Sequence, residues 1–143
     1  DDSKIINVSS CLSELSIHQE GAKKKLSDSN MDRKRFYQLL DEYEAAALKN
    51  EHTKLGYSPF IYAGSKCFLN AYTRFVLPSL LKKDQTAFCF HPGWIQTDMG
   101  GPNAIGKIGD SYVTIMKIVN FSIEESKKNN GNYFDNFGNV QSF

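Results

Sequence analysis

The sequence predicts an α/β fold built on parallel strands, and three observations carry that prediction. Two short apolar runs, Lys4-Ile5-Ile6-Asn7-Val8 and Thr86-Ala87-Phe88-Cys89-Phe90, have the length and composition of buried parallel strands. Much of the chain between them carries apolar side chains at three- and four-residue steps, which is helical spacing. Each strand also runs directly into residues that can do chemistry, Ser9-Ser10 after the first and His91-Pro92-Gly93-Trp94 after the second. The carboxyl ends of the strands are where open α/β sheets bind their ligands.

Composition narrows the function classes. The chain has 143 residues, the size of one domain, and a formal net charge of +1, so nothing favours a nucleic-acid or membrane-surface partner. No apolar run reaches the length of a membrane span, and neither a signal-peptide nor a transit-peptide pattern is found. Cys11, Cys67 and Cys89 are odd in number and lack metal-ligand spacing. They read as core-filling residues in a reducing, cytoplasmic setting, and no metal site is expected.

Taken in order, Lys4–Val8 is expected as a central buried strand. The serines that end it suit turn or capping chemistry as well as a functional role. From about residue 14 to 57 the composition turns polar and charged, and Lys23-Lys24-Lys25 reads as a solvated face. Within that stretch Phe36, Leu39, Leu40, Tyr43 and Ala47 form the stripe of an amphipathic helix between Arg33 and Asn50. Asp41, Glu42 and Glu44 lie off the stripe and face solvent rather than a metal. Ser58 is expected as the N-cap of the next helix, with Pro59 at its first position. That helix is expected to reach about Lys83, with an interruption near residues 74 to 78 because Pro78 has no N–H to donate.

On that helix stand Tyr62 and Lys66, four residues apart and therefore on one face. Ala63, Gly64 and Ser65 between them are small enough to let another segment or a flat ligand approach. An ammonium beside a phenol favours the phenolate, so the pair is suited to proton exchange. Beyond the second strand, Pro92-Gly93 predicts a tight turn, and Gly100, Gly101, Gly106 and Gly109 a flexible loop rather than a phosphate cradle. His91 reads as a structural strand-end residue, and His18 and His52 lie in the polar stretch away from any nucleophile. Tyr112, Val113, Ile115, Met116 and Val119 predict the apolar face of a last helix within residues 110–120. Asn129-Asn130-Gly131 marks a turn, and Gly131-Asn132-Tyr133-Phe134-Asp135 resembles a last strand.

Asn-Val-Ser-Ser after a strand, Tyr-x-x-x-Lys on a helix, and Pro-Gly-Trp-x-x-Thr-Asp-Met after the next strand together resemble the short-chain dehydrogenase/reductases. The resemblance is to their carbonyl-reductase branch and runs from Lys4 to about Val140. It implies the C-terminal half of a Rossmann-like doubly wound parallel sheet, residues 1–143 forming part of a single domain. A helical insertion at about 14–57 would lie between the serine strand and the tyrosine helix. It further implies NAD(P)H-dependent reduction of a ketone or aldehyde. Tyr62 would be the proton donor, Lys66 would ease proton loss from Tyr62 and bind the nicotinamide ribose, and Ser10 would polarise the substrate carbonyl. Pro92, Gly93, Ile95 and Thr97 join Tyr62 and Lys66 as cofactor-binding residues, and Trp94 and Met99 join Ser10 as substrate-binding residues. Trp94 also suits a buried structural role. The carbonyl-reductase likeness points to NADPH, with NADH left open, to a small-molecule carbonyl substrate, and to a monomer at full length.

The sequence departs from the family in one respect. No strand here is followed by the glycine-rich turn that holds a cofactor pyrophosphate, so the N-terminal cofactor-binding half is expected to be missing from these residues. The 143 residues are therefore expected to be inactive alone. The competing expectation is a truncated, non-catalytic relative that persists as an interaction module or an unstable product.

Overall fold

The computed structural model describes residues 2–143. Its centre is a four-stranded sheet in the order β1-β2-β3-β4, with β1 at Lys4–Val8, β2 at Thr86–Phe90, β3 at Tyr133–Phe134 and β4 at Val140–Gln141. The first three strands are parallel, and β4 returns antiparallel to β3. Around it lie α1 (Glu20–Leu26), α2 (Arg33–Leu48), α3 (Ile61–Ala71), α4 (Tyr112–Val119) and α5 (Ile123–Lys128). The α/β class and the parallel pairing read from the sequence are those found.

Strand β2 organises the layers because all five of its residues are buried. Successive side chains of a strand point to opposite faces. Phe88 and Phe90 pack with Ile118 of α4 and Phe134 of β3. Cys89 turns the other way, its thiol 3.1 Å from Thr73 Oγ1 in the turn that extends α3. Each fully buried Phe stabilises the fold by about 1.5–3 kcal/mol relative to leaving it exposed. Burial pushes the Cys89 thiol up to about 11 and the Cys67 thiol up to about 12, so both stay protonated at neutral pH.

The polar stretch builds a second core. Helix α2 starts at Asp32, whose carboxylate accepts the Arg35 N–H at 2.7 Å. Its predicted stripe faces inward, with Phe36, Leu39 and Tyr43 buried beside Leu26, Tyr57 and Phe68. The rings of Tyr43, Tyr57 and Phe68 meet at 4.8, 5.0 and 5.7 Å and lock α2 and the segment after it against α3. His18 and His52 are buried here too. His18 Nδ1 accepts the Ser58 N–H at 3.0 Å, and His52 Nε2 lies 3.3 Å from the Pro59 carbonyl oxygen.

Several expectations need correction. Strand β1 is an edge strand and not a buried central one: Ile5 and Val8 are 39% and 50% exposed, because β2 pairs one side and nothing among the described residues pairs the other. Ser58 and Pro59 precede α3 rather than capping it. The Ser58 hydroxyl accepts the Phe60 N–H at 3.3 Å, and the helix begins at Ile61. The α-helical register ends at Ala71, earlier than expected; a π-turn at Tyr72–Val76 and a 3-10 turn at Leu77–Ser79 follow, where Pro78 cannot donate. Of the face predicted for α4 only Ile115 packs on the core, beside buried Thr114 and Ile118, while Tyr112, Val113, Met116 and Val119 are about half exposed. Cys11 is exposed, unlike the other two cysteines, because it lies in the turn after β1 and outside both cores.

Two predictions follow from packing and burial. The Tyr43 hydroxyl, which donates to the Ile61 carbonyl at 3.2 Å, passes directly over Gly64, leaving no room for a Cβ there. Gly64→Ala should cost about 1–3 kcal/mol by displacing a buried ring, read as a lower urea midpoint at unchanged slope. Burial holds both His18 and His91 below their ordinary value of 6.5. The unfolded chain therefore takes up these protons first, and stability falls as pH drops below about 6.5. The Tm should decline from about pH 7 to about pH 5. His18→Asn keeps an acceptor for the Ser58 N–H without titrating, so it should shrink that slope.

Candidate active site

Parallel pairing of β1 and β2 brings both strand ends to one edge of the sheet, with Val8 opposite Phe90. There the Ser9 N–H donates to the Phe90 carbonyl at 2.7 Å, so the Ser9-Ser10 turn and the His91-Pro92-Gly93 turn leave the sheet side by side. Helix α3 runs along the same edge. A cavity of about 720 Å³ opens between these three segments, within the size range of small-molecule sites. Ser10, Tyr62, Lys66, Pro92, Gly93, Trp94, Ile95, Thr97 and Met99 all line it. Every site residue proposed from the sequence thus lies on one wall or another of this space. Val8, Ser9, Cys11, Leu12 and Gly100 complete the lining, and none of them was among the site residues proposed from the sequence.

Ser10 ends β1 and caps the short turn Cys11–Ser13, its hydroxyl oxygen accepting the Leu12 N–H at 3.1 Å. The capping role and the functional role are compatible. The cap occupies an oxygen lone pair and leaves the hydroxyl proton available to donate. Lys66 stands one helical turn beyond Tyr62, with its ammonium 5.7 Å from the centre of the Tyr62 ring. It donates to the Val8 carbonyl at 2.9 Å, which pins the lysine to the end of β1. Tyr62 is half exposed, with its phenol on the cavity wall.

The loop after β2 is tightly built, contrary to the expectation of a flexible one. Trp94 Nε1 donates to the Gly100 carbonyl at 2.9 Å, and the Gly100 N–H donates to Thr97 Oγ1 at 3.1 Å. A Cβ at Gly100 would collide with the Ile95 carbonyl oxygen, so the loop closes only with glycine there. The Gln96 N–H to Gly106 and Gly106 N–H to Trp94 bonds, both 2.9 Å, tie the base of the loop together, and the Ile95 N–H takes no part in them. Trp94 is half exposed and Met99 is 92% exposed, which excludes a buried structural tryptophan and makes both residues an apolar rim. His91 is buried, accepts the Gly93 N–H on Nδ1 at 3.2 Å and packs against Tyr133, the structural role its position suggested. Among the described residues no cluster of His, Cys, Asp or Glu could hold a metal ion, and no helix is long and apolar enough to cross a membrane.

Comparison with known proteins finds no matching family model. A curated relative, the C-signal of Myxococcus xanthus, is 33% identical over 76 residues, which cover 53% of this chain and 44% of that protein. Among solved structures, salutaridine reductase from Papaver somniferum superposes with a TM-score of 0.76 at 24% identity, over 93% of this chain and 45% of its own. The NADPH-bound carbonyl reductase from chicken fatty liver superposes at 0.53 and 23% identity, over 98% of this chain and 42% of its own. The chain therefore spans less than half the length of each of these three proteins, and its fold is that of part of the two reductases.

Proposed function

We propose that this chain is the C-terminal, substrate-side part of an NADPH-dependent carbonyl reductase, acting on a ketone or aldehyde. The observation that carries this reading is the convergence of Ser10, Tyr62 and Lys66, from two separate elements, on one cavity beside the Pro92–Thr97 loop. The likeness to reductases, one of them described as NADPH-bound, supports it.

The residues present suit a nicotinamide on this side of the site. The Ile95 N–H, unused in tying the loop, is of the type that recognises a carboxamide oxygen. Lys66, already fixed on Val8, has further ammonium protons for ribose hydroxyls. Pro92, Gly93 and Thr97 would form the floor beneath the ring. When bound, NADPH supplies the hydride that reaches the carbonyl carbon. The chain's own residues handle the oxygen. The Ser10 hydroxyl, held from behind by the Leu12 cap, donates to the carbonyl oxygen and polarises it. Tyr62 gives its phenolic proton to the same oxygen as charge develops there, and the nearby Lys66 ammonium favours the resulting phenolate. Trp94 and Met99 border the space left for the rest of the substrate.

A second reading, a non-catalytic interaction module, is favoured by the open outer edge of β1 with its exposed Ile5 and Val8. Turnover separates the two. Protein expressed from the full reading frame should oxidise NADPH only when a carbonyl compound is present. Tyr62→Phe should lower its kcat by at least about 100-fold, and Ser10→Ala by about 100-fold or more. The 143 residues alone should show no such turnover, because no strand in them is followed by a glycine-rich turn for the pyrophosphate. Unchanged turnover in Tyr62→Phe would sink the reductase assignment.

A further inference from the structure

We infer that Tyr133, Ser13 and Asn70 are positioning residues that clamp the peptide of Ser10 and so aim its hydroxyl into the cavity, an inference that rests on the reductase reading of the site. None of the three lines the cavity, and each is at least 98% buried. Two of them meet at a single atom, the Ser10 carbonyl oxygen. Tyr133 Oη donates to it from β3 at 2.8 Å, across 123 positions of sequence, and Ser13 Oγ donates to it at 2.5 Å. Asn70 Nδ2 then donates to Ser13 Oγ at 2.9 Å.

The connections explain what the clamp fixes. Asn70 stands on α3 one turn beyond Lys66 and two turns beyond Tyr62, on the helix that carries the proton donor. Tyr133 stands on the strand that closes the parallel sheet. The Ser10 turn is thereby tied both to the sheet and to the helix carrying Tyr62, and the separation of the two hydroxyls is set by bonds from buried side chains rather than by an exposed loop. Freeing the Ser10 peptide lets its side chain turn away from the line of the carbonyl oxygen, and small misplacements of a reacting group are costly. Burial keeps the Tyr133 phenol protonated, so it remains a donor across the working pH range. The Phe134 N–H and carbonyl groups hold the sheet independently of the Tyr133 hydroxyl, so removing that oxygen tests the clamp without dismantling β3.

Two measurements decide the matter. In the 143-residue chain, the amide proton of Leu12 reports the Ser10 hydroxyl that caps it. Tyr133→Phe should move that resonance upfield while the β2 amides stay in place; Ser13→Ala is the second variant should the first fold poorly. In protein from the full reading frame, Tyr133→Phe should lower kcat about tenfold at unchanged KM for NADPH. In a Ser10→Ala background the same change should cost nothing further, because the effect passes through Ser10. An unmoved Leu12 resonance, or equal losses in both backgrounds, overturns the inference. A wild-type protein without turnover would instead defeat the reductase reading, while the Leu12 resonance would still decide whether the clamp exists.

Discussion

The register between β1 and β2 is the constraint on which the site depends. Five residue pairs, from Lys4 opposite Thr86 to Val8 opposite Phe90, set two strand ends level with each other. A slip of one residue would turn Phe88 and Phe90 out of the α4 core and Cys89 away from Thr73. It would also part the Ser9-Ser10 turn from the Pro92–Thr97 loop. The apolar packing of β2 and the composition of the cavity are therefore two consequences of one pairing. The helices follow from it, because α3 and α4 each cover one face of the same buried strand.

The segment between β1 and α3 takes its place in the same scheme. Its aromatic cluster meets α3 at Phe68, on the side of the helix away from Tyr62 and Lys66. Packing on that side holds the helix, and leaves its other side free to border the cavity. The Tyr43 ring lies directly over Gly64, so that glycine between Tyr62 and Lys66 serves packing.

How much of this could be read from sequence differs by element, for physical reasons. Strands β1 and β2 and helix α2 were legible because their side-chain periods match their environments, and the cavity residues were legible because they sit in short motifs at strand and helix ends. The burial of β1 was not, since burial depends on neighbours that a strand's own residues do not specify. Helix α4 misled for the opposite reason. Tyr112, Val113, Ile115, Met116, Ile118 and Val119 leave apolar side chains nearly all round it, and Thr114 became an inward-facing residue by donating to the Asp135 carbonyl at 2.7 Å. Helix α5 carries a readable signal in Ser122 and Glu125, which cap one another. Two-residue β4 is too short to show any period. The bonds from Tyr133 and Asn70 to the Ser10 turn join distant segments through single hydroxyl and amide groups, and no local pattern announces them.

The chain has one tryptophan, and it stands half exposed at the rim of the cavity, its indole N–H held by Gly100. Fluorescence excited beyond the absorption of the tyrosines is thus an optical signal from a single place, Trp94, outside both hydrophobic cores. A molecule entering the cavity alters the surroundings of the only strong emitter, with no label required. The same property separates two kinds of unfolding curve. Emission follows the loop after β2, whereas circular dichroism follows the helices packed around Phe68 and Phe88, so a gap between the two curves measures how far the rim loosens before the cores give way.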